Sequence, residues 1–175
     1  MKKILFALLF VTISATTFAQ NQRFAYVNTD YILKNIPEFT EAQKKVDKMS
    51  EEWKAEVEKK QKEIDDAYRT FQNEQYLMTE DQKKAKIKEI ENKEKAIKDY
   101  QKQKFGYEGE LFQKRQELIK PIQDKVYDAI EKLSKDRGYD FVFDKSGSTL
   151  ILFADAKNDR SDDILRNLGY TPGSK

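Results

Sequence analysis

The sequence predicts an α+β protein that is mainly α, in which a long antiparallel helical hairpin projects from a small β-rich body. Three observations predict this architecture. From about residue 39 to residue 133, apolar residues recur at alternating spacings of three and four, which is the seam of a coiled coil. One break near residues 76–82 divides that pattern into two arms. Short apolar runs near the two chain ends supply strands for a body.

The break carries the signal of a new helix start. Thr79 is followed three residues later by Gln82, the spacing of a capping box, in which each side chain bonds the backbone N–H of the other residue. The first helix is therefore expected to end just before the break, and the second to begin near Glu80. A link this short forces the helices antiparallel. If Phe71 faces Ile87, the apolar positions of both arms align along their whole length.

The second arm is expected to be one long helix with three interruptions in its pattern. Gly106 and Gly109 each cost about 1 kcal/mol in a helix relative to Ala. They indicate either close packing against Trp53 or Met49 on the facing arm, or a point where the arm flexes, and Ala at both positions is expected to stiffen the arm. Pro121 costs about 3 kcal/mol in a helix interior and is expected to kink the helix as it enters the body. The predicted seam of this arm consists of Ile87, Ile90, Ile97, Tyr100, Tyr107, Leu111, Leu118, Ile122, Val126, Ile130 and Leu133.

The first 19 residues have the pattern of a secretory signal peptide. Lys2 and Lys3 precede an apolar run over residues 4–13, and Ala19 ends a stretch of small residues typical of a cleavage site. The run is too short to span a membrane, so cleavage near Ala19 is expected. Two of the 33 basic residues lie in this segment, which leaves 31 basic against 31 acidic residues. A near-neutral chain argues against nucleic-acid binding, which needs a basic excess.

The composition argues against an enzyme. The chain has no cysteine and no histidine, which removes the commonest nucleophile–base pairs and nearly all zinc and copper sites. The carboxylate pairs Asp65–Asp66 and Asp162–Asp163 are adjacent in sequence, so their side chains point apart on a helix. No catalytic residue, metal ion or cofactor is therefore expected.

The body is predicted from three apolar runs, at residues 24–27, 139–143 and 149–153. The last two are joined by a Gly-containing turn and predict a β-hairpin. Gly138 is expected to end the second arm, and Gly169 a last short helix. So few elements cannot bury their aromatic side chains within one chain, which predicts an obligate oligomer. The residues expected to form the oligomeric body are Phe24, Tyr26, Val27, Phe141, Phe143, Leu150, Ile151 and Phe153.

Apolar residues that lie off the pairing seam are candidates for binding other proteins. They are Tyr76, Leu77 and Met78 at the tip and Phe105 and Phe112 along the arm. Methionine and aromatic side chains suit promiscuous contact, because they adapt to many shapes. The alternative is that they complete the seam or the contacts between arms. Lysines just after the turn predict either weak contact with a membrane surface or a solvated arm tip.

With these elements in order, the chain resembles the Skp/OmpH family of periplasmic chaperones. The signal peptide, the strand over 24–28, the long hairpin, the run over 139–144 and a closing helix at 162–165 carry the resemblance. It implies a homotrimer, with strands forming a central body and three arms around a cavity. It also implies a holdase that, without ATP, binds unfolded outer-membrane proteins in that cavity and prevents their aggregation. The near-neutral charge departs from the family, whose members are often basic.

The implied domain organisation has three parts. Residues 1–19 are the signal peptide, residues 20–37 and 134–175 form a β-rich body completed by trimerisation, and residues 38–133 form the arm with its tip near 76–82. The alternative hypothesis is a structural coiled-coil spacer or adaptor of the cell envelope. A chaperone would capture many unfolded barrel proteins, whereas a spacer would bind one defined partner.

Overall fold

The structure is a computed structural model that describes residues 22–147 and 151–173. The predicted signal peptide over residues 1–19 and the candidate body residue Leu150 lie outside these ranges. The elements, in chain order, are β1 (Phe24–Val27), α1 (Thr29–Lys34), α2 (Pro37–Glu74), a 3₁₀ turn (Gln75–Leu77), α3 (Glu80–Phe105), α4 (Glu110–Leu118), α5 (Lys120–Arg137), β2 (Phe141–Asp144), a 3₁₀ turn (Ala156–Asn158) and α6 (Ser161–Asn167).

The first arm is the single helix α2, which starts at Pro37 and runs for 38 residues. At a rise of about 1.5 Å per residue it is about 57 Å long. The predicted capping box starts the returning arm: the Gln82 N–H donates to Thr79 Oγ1 at 3.3 Å, and the Thr79 N–H donates to Gln82 Oε1 at 2.8 Å. The antiparallel hairpin and its turn are therefore confirmed.

Contacts between the arms fix their register. The rings of Trp53 and Phe105 meet edge to face with centroids 6.2 Å apart. Nearer the tip, the Tyr68 hydroxyl donates to Glu94 Oε1 at 3.0 Å, which raises the pKa of Tyr68. The observed pairing agrees, within a helical turn, with the alignment predicted from the sequence. The buried seam of the outer arm consists of Ile64, Ile90 and Ile97, packed by Val57, Ala67 and Phe71.

The returning arm is three helices rather than one. Helix α3 ends at Phe105, and residues 106–109 leave the helix before α4 starts at Glu110. Glu108 adopts a left-handed φ of 56° within this segment. Tyr107, predicted to lie on the seam, is 97% exposed. That prediction was wrong because the two flanking glycines end the helical periodicity on which it relied.

The second interruption lies where Pro121 occurs. Ile119 separates α4 from α5, and Pro121 occupies the first turn of α5, where no helical N–H is needed. The Ile119 N–H still donates to the Arg115 carbonyl at 2.9 Å, so this hydrogen bond of α4 is kept at the interruption. The helical assignment is therefore interrupted next to Pro121, and the predicted kink at the entrance to the body stays a prediction.

The sheet of the body is parallel and pairs a strand at the start of the described chain with one that follows the arm. β1 and β2 align with Phe24 opposite Phe141. The predicted β-hairpin is not observed in the described residues, because residues 151–153 lie outside any strand and 148–150 are not described. The other edge of β1 is occupied instead by Arg160, whose N–H donates to the Tyr26 carbonyl at 2.9 Å.

The core of the body lies where α1, α5 and α6 meet beneath β1. Gly138, with φ of 63°, ends α5 in a left-handed cap, and the Tyr139 N–H donates to the Ser134 carbonyl at 2.9 Å. Just before α6, Asp159 Oδ1 accepts from the Ser161 N–H at 2.9 Å, and Arg160 is the N-cap without a side-chain cap bond. Burial of each large aliphatic side chain stabilises the body by about 1.5–3 kcal/mol. The core consists of Val27, Ile32, Leu33, Ile36, Val126, Leu133, Ile164 and Leu165.

Candidate binding surfaces

An aromatic surface covers one face of the body sheet. Phe24 stacks on Phe141 with ring centroids 5.7 Å apart and lies 6.3 Å from Phe143. The three side chains remain 45%, 51% and 42% exposed. Leu152 and Phe153 are 88% and 86% exposed beside them. We call these five residues the body patch.

The body patch borders an open pocket of about 690 Å³. Its walls come from β1, from Phe143 and from the segment that follows β2. Ile151, half-buried, lies in this wall, whereas Tyr26 and Val27 are buried within the chain itself. Of the residues predicted for an oligomeric body, Phe24, Phe141, Phe143, Ile151 and Phe153 thus lie on or beside the open face.

The tip of the arm exposes a second apolar surface. Tyr76 and Leu77 are 74% and 87% exposed, because the 3₁₀ turn directs them away from the seam. Met78 is half-buried and lines a groove of about 550 Å³ together with Leu77 and the first turns of α3. The structure therefore brings the three predicted tip residues together.

The two aromatic candidates along the arm differ in their surroundings. Phe105 packs against Trp53, so most of its ring completes the contact between arms. Phe112 is 46% exposed and lines a shallow groove with Phe39 and Ile119 near the body. Phe112 therefore offers more apolar surface to another molecule than Phe105 does.

Tyr107 is a surface residue that the apolar pattern of the sequence does not predict. Its side chain stands almost fully in solvent on the non-helical segment between α3 and α4. The signal that could have revealed it was the pair of glycines at 106 and 109, since two such residues three apart favour a break over a helix. Tyr127, 67% exposed on α5, is a second exposed aromatic residue near the body.

Two of the lysines after the turn pair with neighbouring carboxylates. Lys83 Nζ lies 2.8 Å from Glu80, and Lys86 Nζ lies 2.8 Å from Glu89. The hydrogen bond from Lys86, joined by a second from Lys93, lowers the pKa of Glu89. Such exposed pairs within one helix are typical of a solvated surface.

The break in the returning arm is bridged by polar contacts. Lys104 on α3 forms an ion pair with Glu110 in the first turn of α4, and Gln103 Nε2 donates to the same carboxylate at 2.8 Å. The hydrogen bond from Lys104 lowers the pKa of Glu110. We call residues 106–109 the joint, because they connect the two helices without being helical.

Backbone atoms close to Gly106 and Gly109 leave no room for a side chain at either position. A Cβ at Gly106 would overlap the Lys102 carbonyl oxygen, and one at Gly109 would lie 2.9 Å from the Gln103 carbonyl oxygen. Of the two interpretations offered by the sequence, close packing against Trp53 or Met49 is not the cause. The close approach is to the backbone of the arm's own preceding turn.

The described residues show no arrangement that suggests metal chemistry. In residues 22–147 and 151–173, no three or more acidic side chains converge as a metal site would require. No described helix combines the length and apolar character needed to cross a bilayer.

Together these features define an α+β protein with a long helical hairpin and a small parallel sheet. The family model for Outer membrane protein (OmpH-like) matches residues 23–168. The chain belongs to this OmpH-like family, and the resemblance seen in the sequence is confirmed. Family membership supports a chaperone-type role.

The fold is also similar to a solved structure from Caulobacter crescentus CB15, described as a candidate outer membrane chaperone (OmpH-like). The TM-score is 0.63 at 10% sequence identity, over 84% of this chain and 83% of that chain. A likeness at this identity concerns the fold alone. A search of curated proteins finds no match.

Proposed function

We propose that the protein is an ATP-independent holdase of the periplasm. In this proposal it binds unfolded outer-membrane proteins in a cavity between helical arms and prevents their aggregation. It performs no chemistry and needs no cofactor. Residues 1–19 direct its export and are removed near Ala19.

One observation carries the proposal. In this OmpH-like chain, exposed apolar side chains are distributed over a long arm and an open sheet face rather than gathered in one enclosed pocket. A holdase needs this arrangement, because an unfolded client presents apolar segments in no fixed geometry. Small apolar contacts spread over a large surface give capture without a defined partner shape.

The proposal includes a homotrimer held by the body patch. Phe24, Phe141 and Phe143 expose stacked rings next to an open pocket, a surface that monomeric proteins seldom leave in water. Among the described residues, β2 has a strand partner only in β1. Strands or side chains from two further copies would cover the rings. Three arms would then project from one body and enclose a cavity.

The proposed client contacts are the exposed apolar residues of the arm. Tyr76, Leu77 and Met78 form the tip surface, and Phe112 lies near the entrance to the body. Phe105 contributes the exposed part of its ring. Contact of the tips with a membrane surface would be weak, since Lys83 and Lys86 already have carboxylate partners.

Aggregation of an unfolded barrel protein tests the proposal. The client is diluted from urea into buffer without nucleotide, and light scattering follows aggregation with the protein in stoichiometric excess. We expect strong suppression. Leu77→Ser should weaken it, because an 87% exposed apolar contact at the tip is lost. Asp128→Ser is the control, since Asp128 is exposed on α5 and its replacement removes no apolar surface, and it should leave suppression unchanged.

Two outcomes would contradict the holdase. One is an aggregation rate unaffected by excess protein. The other is a pull-down from envelope extract that recovers one folded partner and no barrel proteins, which is the result expected of a structural spacer or adaptor.

A further inference from the structure

The joint is crossed by an ion pair that links the helices on either side of it. Lys104 lies in the last turn of α3, and Glu110 is the first residue of α4. Their side chains are 15% and 35% exposed, so solvent screens the pair less than it screens a fully exposed one. Gln103 adds a neutral hydrogen bond to the same carboxylate at 2.8 Å.

The same lysine also ties the joint to the facing arm. Lys104 Nζ lies 4.8 Å from the centre of the Trp53 ring and 5.6 Å from that of Tyr100. Both distances are within the range of cation–π attraction. The Trp53 ring in turn meets Phe105, the last residue of α3. One ammonium group therefore holds α2, α3 and α4 together at a single point.

The ion pair is a property of the broken arm and not of helical geometry. Lys104 and Glu110 are six residues apart, so in a continuous helix they would be rotated by about 240° and separated by about 9 Å along the axis. They would then lie on different faces and could not pair. The contact exists because residues 106–109 leave the helix and turn α4 relative to α3.

The backbone of the joint lacks the features that make a helical segment stiff. The Gly109 N–H donates to the Gly106 carbonyl at 2.9 Å, which closes a turn of four residues, and Glu108 has a φ of 56°. A non-glycine residue in this region costs about 1–2 kcal/mol. Helix α2 runs unbroken past this level, so the joint interrupts only one of the two helices of the arm.

We propose that residues 106–109 are a flexible joint in the arm, and that Lys104, Glu110 and Trp53 form a clip that holds this joint closed. Opening the clip releases α4 from α3 and widens the range of angles between the outer arm and its base. The clip belongs to the arm itself, so it operates whether or not the protein holds clients.

The test uses the assembled protein with two spin labels. The sequence contains no cysteine, so Lys95→Cys on α3 and Gln116→Cys on α4 provide unique exposed sites on opposite sides of the joint. Labelled chains are diluted with unlabelled chains, so that electron–electron distances within one chain are measured. Trp53 is the single tryptophan, and its emission reports independently on the clip.

Glu110→Gln and Lys104→Met each remove one half of the ion pair. We expect each to broaden the distance distribution, with about a two- to fivefold rise in the open population, and to shift the Trp53 emission. Glu117→Gln is the matched control. It removes a carboxylate from the same helix whose partner, Lys114, lies three residues away at 2.6 Å within α4. This variant should match the parent protein.

A double-mutant cycle decides whether the pair acts as a unit. If it does, the variant with both changes should open the joint no further than either change alone. Fully additive effects would overturn the clip, as would equal distance distributions for Glu110→Gln and Glu117→Gln. Far-ultraviolet circular dichroism verifies that all variants keep the parent's helix content. If Glu110→Gln loses helix content, Lys104→Met is used to test the clip instead.

Discussion

At the scale of single residues, Asp144 shows how one side chain fastens the body. It ends β2 and reaches the start of α1, where Thr29 Oγ1 donates to Oδ2 at 2.6 Å and the Thr29 N–H donates to Oδ1 at 3.2 Å. The Ser146 N–H donates to the same carboxylate at 2.9 Å. Partial burial acts to raise the pKa of Asp144, but these hydrogen bonds prevail and hold it below the ordinary value.

The lowered pKa makes the stability of the body depend on pH. Folding favours the ionised carboxylate, so the stabilisation from Asp144 is complete above the ordinary aspartate pKa of about 3.9. It is lost as pH falls through the lower pKa of the folded state. At pH 7 we expect Asp144→Asn to reduce the free energy of unfolding by about 1–3 kcal/mol. Urea denaturation at several pH values measures the difference from the parent protein.

That difference should shrink as the pH drops below about 4. Asp128→Asn, an exposed change on α5, is the control and should have little effect at any pH. A difference between Asp144→Asn and the parent protein that stays constant into strong acid would contradict this account of Asp144.

At the scale of elements, the sequence predicted the helix ends, which depend on neighbouring residues. It did not predict the strand pairing, which depends on residues far apart in the chain. The capping box at Thr79 and the end of α5 at Gly138 depend on neighbouring residues, and both are observed. The parallel pairing of β1 with β2 depends on residues more than a hundred positions apart, which no local pattern encodes. The hairpin predicted for residues 139–153 was the local alternative.

The joint lies between these two cases. Gly106 and Gly109 were recognised as unfavourable in a helix, but not as the site where the helix stops. The periodicity of the apolar residues continues on both sides of the joint, and it therefore predicted one helix with Tyr107 on its seam. What ends the helix is the conformation of four residues, which periodicity does not describe. At the tip, the exposure of Tyr76 and Leu77 likewise follows from a local conformation, the 3₁₀ turn, that periodicity does not describe.

Replacing Gly106 tests the element directly. From the sequence alone, Ala would be expected to stiffen the arm and raise helix stability. The structure reverses the expectation, because the added Cβ would overlap the Lys102 carbonyl oxygen. We expect Gly106→Ala to lower the free energy of unfolding by about 1–3 kcal/mol, as overpacking does elsewhere. Thermal denaturation followed by circular dichroism measures the change.

Gly147→Ala is the matched control, because a Cβ there meets no atom within 4 Å. It should be close to neutral. A higher melting temperature for Gly106→Ala, with Gly147→Ala unchanged, would contradict this account. Residues 106–109 would then accommodate the added Cβ and could continue the helix.

At the scale of the whole molecule, the arm and the body differ in how they bury their apolar side chains. The arm is long and thin, and its buried seam is built from small groups of residues such as Ile64, Ile90 and Ile97. The body has a proper core beneath β1 but leaves Phe141 and its stacked neighbours in water. A solvent-exposed stack of this kind is unfavourable for an isolated chain, and association would remove it.

Charging the body patch should therefore separate the chains. Phe141→Glu places a carboxylate among the stacked rings of Phe24 and Phe143, where it would be buried without a partner in the assembly. We expect this variant to be unable to form the proposed trimer while keeping its helical content. Tyr127→Glu changes an exposed aromatic residue outside the body patch and should leave the assembly intact.

The mass of the protein in solution tests the central claim most directly. Sedimentation equilibrium of the chain that starts after Ala19, at micromolar concentration, should give three times the mass of one chain and no folded monomer. A well-folded, soluble monomer under the same conditions would contradict the account, because the body patch would then need no second copy to cover it.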